Sequence, residues 1–143
     1  MSVEGRFGAG QRVLLACTGS LATLRPALED CRAAWPDAGL TLLVPAGERE
    51  NVPTWAADLL APETPWTPDL IARLSGFDAA VILTAPGDSP HGLGYLCALA
   101  GIPLRAGVSG EFGGQALTDW VKPRGSHPAA DLLAHLLSPL ERS

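Results

Sequence analysis

Arg12–Trp35 reads RVLLACTGSLATLRPALEDCRAAW, and its two halves follow different periods. Arg12–Cys17 is a short, largely apolar run closed by Thr18-Gly19-Ser20. That pattern belongs to a strand buried on both faces that enters a turn. Beyond the turn, apolar residues fall at Leu21, Leu24, Leu28, Cys31 and Trp35, a spacing that lines one face of an amphipathic helix. Pro26 either kinks this helix or sits in its first turn. Pro36-Asp37-Ala38-Gly39 ends it.

The alternation continues outward from this unit. Leu40–Val44 reads as a second buried strand, stopped by Pro45-Ala46-Gly47. A polar, helix-compatible stretch follows, and Ala57–Ala61 fits a short third strand. Pro62–Pro68 is a proline-rich loop in which Thr67 can cap a short helix, Pro68–Leu74. Asp78–Thr84 (DAAVILT) is the clearest strand in the chain. The loop Ala85–Gly92 leads to a helix over Leu93–Ala100, and Gly101-Ile102-Pro103 turns the chain into a strand at Leu104–Val108. Residues 109–125 read as irregular. Ser126 can cap a last helix, with Leu132, Leu133, Leu136 and Leu137 on its apolar side.

Strands that are apolar throughout need helices on both faces, which predicts a mainly parallel sheet. The expected architecture is a three-layer α/β/α, Rossmann-like domain over residues 12–143, behind a frayed lead-in at 1–11. In such sheets ligands lie beyond the carboxyl ends of the strands. The loops to examine are therefore Thr18–Ser20, Pro45–Arg49, Ala85–Gly92 and 109–114.

Composition narrows the function classes. The 143 residues suit one hydrophobic core. Net charge is −5, and the ten basic residues are scattered, so no basic stripe for nucleic acid is present. The longest apolar stretches, Ala79–Thr84 and Leu132–Leu137, are far shorter than the ~20 residues a bilayer requires. Met1–Gly5 lacks the basic-then-apolar pattern of a secretory signal, and a cytoplasmic protein is expected. Cys17, Cys31 and Cys97 form an odd set without CxxC spacing, which predicts buried thiols and neither a disulfide framework nor a metal site. No cofactor is expected.

Several segments agree in order with one known family. Pro26-Ala27-Leu28 followed by Pro36-Asp37-Ala38, then Phe77-Asp78-Ala79-Ala80-Val81-Ile82-Leu83-Thr84, then Leu99-Ala100-Gly101-Ile102-Pro103-Leu104-Arg105-Ala106-Gly107 resemble glycosyltransferase family 9. That family includes the bacterial ADP-heptose:lipopolysaccharide heptosyltransferases. It shows P-A-L-x-x-L-x-x-x-x-P-x-A, F-D-x-x-V/I-x-x-T and L-A-G-x-P-x-R-x-G at these places. The likeness runs from about Arg12 to Leu137, with His127 heading a Leu-rich helix as a histidine often does there. It implies one half of a GT-B architecture, the half that binds the acceptor of a cell-surface glycan. The other half would hold most of the nucleotide-sugar.

One departure matters chemically. The family's first strand ends in R-L-G-x-x-G-D, and alignment on Pro26 places Leu14, Ala16, Gly19 and Ser20 at its R, first G, second G and D. The resemblance implies that this aspartate is the general base for the acceptor hydroxyl. An ordinary serine hydroxyl cannot take that proton near neutral pH. With donor half and aspartate both missing, the chain is expected to be inactive alone, as a pseudoenzyme. Its expected partners are a sugar acceptor or a nucleotide or nucleotide-sugar, with a separate donor domain or a second copy of itself. The alternatives are a non-catalytic sugar- or nucleotide-binding module and a structural subunit.

The ligand-binding candidates are Thr18, Gly19, Ser20, Thr84, Asp88, Ser89, His91, Arg105 and His127. Each has a plainer role. Ser20 suits an N-cap better than an acceptor contact, and Gly19 suits turn geometry. Asp88, Ser89 and His91 lie in the loop after the best strand, where a ligand would sit, but a lone loop histidine is commonly just solvated. Arg105 can fork an anionic sugar phosphate or form a surface ion pair. His127 is either a helix-start residue or a cleft contact. Trp35, Trp55, Trp66 and Trp120 can offer stacking faces for a sugar but more often contribute to a core. Gly92-Leu93-Gly94 lacks the third glycine of a dinucleotide fingerprint. No G-x-S-x-G elbow supports a serine hydrolase.

Overall fold

A computed structural model describes residues 7, 10–56, 58–62, 68–85, 91–108, 117–121, 132 and 136. The strands are β1 (Arg12–Cys17), β2 (Gly39–Leu43), β3 (Asp58–Leu60), β4 (Ala79–Leu83), β5 (Leu104–Val108) and β6 (Asp119–Val121). The helices are α1 (Leu21–Ala34), α2 (Pro68–Leu74) and α3 (His91–Leu99), and a 3-10 turn spans Ala46–Asn51. Among the described residues all six strands lie in one sheet of order β3-β2-β1-β4-β5-β6. Every neighbouring pair is parallel.

Alternate residues of β1 serve opposite faces, as the two-residue strand period requires. Val13, Leu15 and Cys17 pack with Leu21, Leu24, Leu28, Cys31 and Trp35 of the α1 side, together with Leu132 and Leu136. Leu14 and Ala16 face the other way, toward Leu70 and Leu74 of α2 and Leu96 and Cys97 of α3. Helices thus cover both faces, giving the expected three-layer α/β/α arrangement. The three thiols are free and buried. Phe7, inside the stretch expected to fray, is buried and meets Trp35 edge-on at 4.7 Å between ring centroids.

Three local details differ from the sequence reading. β6 lies within the segment read as irregular; at three residues it is too short to display a period. Helix α3 begins at His91, two residues before the expected Leu93. Pro26 lies inside α1, beyond its first turn. There it removes one backbone donor, a loss tolerated because the apolar face of α1 is buried along its length.

The strand order reverses between β1 and β4. From β1 the chain moves outward through α1 to β2; from β4 it moves the opposite way through α3 to β5. Loops leaving the two central strands therefore part company above and below the sheet, which opens a natural ligand position at their carboxyl ends.

Candidate functional site

The ends of β1 and β4 are tied together. The Thr18 N–H donates to the Leu83 carbonyl at 3.2 Å. The Thr18 hydroxyl accepts from the Ala85 N–H at 3.0 Å. These bonds continue the β1–β4 ladder one residue past its last rung, Cys17↔Leu83, and hold loop 18–20 beside 84–85. Thr18→Val keeps the shape and deletes the acceptor. It should lower stability by about 1 kcal/mol and broaden the Ala85 amide resonance, measurable by urea titration and NMR.

Ser20 stands at the N-cap of α1 with an extended backbone (φ −61°, ψ 127°). Its carbonyl accepts the Leu24 N–H at 3.2 Å, yet its side chain makes no cap hydrogen bond and is exposed. The cap expected of Ser20 comes instead from Glu48 in the 3-10 turn after β2. Glu48 Oε1 accepts the Leu21 N–H at 2.7 Å. A carboxylate with a longer stem is the stronger partner here, because it sets a full negative charge on the positive end of the helix dipole.

Glu48 is held firmly. Asn51 Nδ2 donates to the same Oε1 at 3.3 Å. Arg25 Nη2 donates to the Asn51 carbonyl at 3.0 Å, and Trp55 Nε1 donates to Glu29 Oε2 at 2.9 Å. Leu21, Arg25 and Glu29 are four residues apart on α1, so segment 48–55 runs along one side of that helix. Arg49 Nη2 fixes the far side of the turn to the Ala61 carbonyl at 3.1 Å.

The other expected site residues divide clearly. Thr18 meets Leu83 and Ala85 at the carboxyl edge, and Gly19 and Ser20 follow it in the same loop. Gly19 is not among the described glycines with positive φ, which are Gly10, Gly76 and Gly101, so the left-handed region is not what selects glycine there. Thr84 is only 1% exposed, so its side chain offers a ligand almost no surface. Arg105 lies toward the amino end of β5, paired with Ala80, away from the edge that holds Ser20. Its Nη1 donates to the Ile102 carbonyl at 2.7 Å, and its N–H donates to Thr118 Oγ1 at 2.7 Å. His91 opens α3. Asp88, Ser89 and His127 lie outside the described residues.

Of the four tryptophans, Trp35 is wholly buried, and Trp55 packs partly against the same core. Trp66 is outside the described residues. Among the described residues no group of three or more His, Cys, Asp or Glu gathers as a metal site would require, and no helix is long and apolar enough to cross a membrane.

What the edge offers is a fixed carboxylate, an exposed hydroxyl and backbone groups of two loops at the point where the strand order reverses. The fold matches a crystal structure titled glycosyl transferase family 9 from Veillonella parvula, over 92% of this chain and 43% of that one, at a TM-score of 0.66 and 15% identity. The fold matches one part of that family 9 glycosyltransferase structure. It is an α/β fold corresponding to one half of a GT-B architecture, and at this identity the likeness concerns architecture alone. In sequence, the chain is 34% identical over 122 residues to the UDP-N-acetylmuramoyl-L-alanine--L-glutamate ligase of Xylella fastidiosa strain 9a5c, and equally to that of strain Temecula1. These matches cover 79% of this chain but 25% of each ligase, so the chain spans about a quarter of the length of those relatives. No protein-family model matches the chain.

Proposed function

We propose that this domain binds a sugar-bearing ligand at the carboxyl edge between β1 and β4, as the acceptor side of a glycosyltransferase-type reaction. The observation that carries this reading is the join of loop 18–20 to residues 84–85 at the strand-order reversal. The glycosyltransferase fold of the solved neighbour supports it. Transfer needs an activated sugar on a second domain. Ser20 supplies no proton acceptor where the family pattern has aspartate, so the 143-residue chain is proposed to bind without turnover.

A second reading is favoured by the ligase likeness, because those relatives are named for a UDP-linked sugar substrate. In that reading the same edge serves a non-catalytic module for a UDP-sugar. One titration separates the two. Amide spectra of the labelled chain are recorded with N-acetylglucosamine, with UDP-N-acetylglucosamine and with UDP. Shifts at Thr18–Leu21 and Thr84–Ala85 with the free sugar support acceptor binding. Shifts with UDP alone support the module. Silence of these amides toward all three ligands rejects both.

A further inference from the structure

We infer that the outward face of α3 is a self-association surface, on which a second copy of this chain packs with its α3 antiparallel to the first.

The exposed large hydrophobics among the described residues are Tyr95, 57% exposed, and Leu99, 51% exposed. They are not scattered, as solitary surface hydrophobics usually are. Both lie on α3, four residues apart and so on one side of it. Gly92 is exposed on the same side, one turn before Tyr95. The opposite side, with Leu96 and Cys97, is buried in the core. Along its whole length α3 carries no Asp, Glu, Lys or Arg. α1 is built differently, with Arg25, Glu29, Asp30 and Arg32 exposed on its solvent side. A helix apolar all round is normally covered all round, and the fold covers α3 on one side.

Charge selects the occupant. The chain carries a net charge of −5, so two copies repel each other in most orientations. An uncharged stripe is where that repulsion is least. α2 lies against α3 and runs the same way, since each returns from the carboxyl edge to start the next parallel strand. Its Asp69 in the first turn and Arg73 in the last are both exposed. A two-fold axis across α3 reverses that order, so the acid end of one copy faces the basic end of the other. The same axis, level with the midpoint between residues 95 and 99, sets Tyr95 against Leu99 of the partner subunit. Leu99 in turn meets the partner subunit's Tyr95, a self-complementary contact. The carboxyl edges of the two copies then point opposite ways and stay open to ligand. The stripe is short beside the roughly 800 Å² per partner of a standard interface, so the dissociation constant should be on the order of 100 µM.

Sedimentation velocity from about 10 µM to about 1 mM should show wild type passing from monomer to dimer. L99E adds a charge at an exposed position, so its melting temperature should stay near that of wild type. Its dissociation constant should rise roughly tenfold or more. T23E adds the same charge on the exposed side of α1 and should dimerise much as wild type does. The double variant Y95K/L99E sets opposite charges across the axis and should recover part of what L99E loses. A wild type that stays monomeric throughout overturns the inference. So does an L99E that dimerises as well as wild type, or a T23E that weakens association as much as L99E. Assemblies larger than a dimer, or no recovery in the double variant, overturn the two-fold antiparallel arrangement. A monomer that instead sediments with phosphatidylcholine vesicles assigns the stripe to a lipid surface and overturns the inference likewise.

Discussion

Raising the pH above 9 should unfold this domain steeply, and the three buried thiols should be the reason. Burial pushes the Cys17 thiol up to about 12 and the Cys97 thiol to about 12, the latter despite the opposing influence of Arg105. Cys31 is raised by burial and further by Cys17 and Asp30. In the unfolded chain each thiol ionises near its ordinary value of 9.0. Below that pH both states keep their protons, and stability does not depend on these groups. Above it the unfolded chain releases protons that the folded chain retains, so the equilibrium shifts toward unfolding.

Each thiol contributes up to about 1.4 kcal/mol per pH unit in this window, and three together about 4. Against a typical domain stability of about 5–15 kcal/mol, a few pH units suffice. Circular dichroism at increasing pH should show a cooperative loss of helix between pH 9 and 12, together with release of titratable thiolate absorbance. A triple Cys→Ala variant, although less stable at pH 7 because of lost packing, should show a much shallower pH slope. An equally steep slope without the thiols would place the alkaline sensitivity on other groups. At pH 7 the native thiols should resist a disulfide exchange reagent, because the reactive thiolate is scarce and inaccessible.

The same burial that raises these thiols is what made the fold readable. Val13–Cys17, Leu40–Val44 and Ala79–Leu83 are apolar on both faces because helices cover both, so their continuous hydrophobicity carried the parallel sheet directly into the sequence. The apolar spacing from Leu21 to Trp35 likewise announced α1. β6 gave no such signal: Asp119–Val121 pairs with β5 through backbone groups over three residues, and backbone pairing leaves little mark on side-chain choice.

The site was legible only in outline. The rule of strand ends selected the loops at 18–20, 45–49, 85–92 and 109–114; the structure joins 18–20 to 84–85 and seats Glu48 against Leu21, while 109–114 lies outside the described residues. Ser20 was read as a side-chain cap because serine often is one, and only the folded chain reveals that Glu48 has that role. In sequence Glu48 and Glu50 are alike, two acids flanking Arg49. Nothing local distinguishes the one that reaches Leu21. Arg105 shows what sequence chemistry leaves out. Its guanidinium suits an anion, and the fold sets it toward the amino end of β5, at the other end of the sheet from loop 18–20.

Trp35→Ala should be among the most damaging single substitutions in this chain. Trp35 closes α1, is wholly buried, and packs with Phe7 and the α1 side of the core. Removing it leaves a cavity too large for the neighbours to fill, at a cost of about 3–5 kcal/mol. Trp35 also carries a polar penalty of its own: Nε1 is buried without a hydrogen-bond partner among the described residues. An unsatisfied buried donor costs about 1–3 kcal/mol. Trp35→Phe removes that donor while retaining an aromatic ring against Phe7, so relief of the polar penalty should offset most of the lost packing. The expected result is a large drop in the urea midpoint for Trp35→Ala and a change within about 1 kcal/mol for Trp35→Phe, both followed by circular dichroism so that loss of indole fluorescence does not intrude. Equal damage from the two variants would mean that the indole N–H contributes favourably, and that α1 depends on a polar contact at its end as well as on its apolar face.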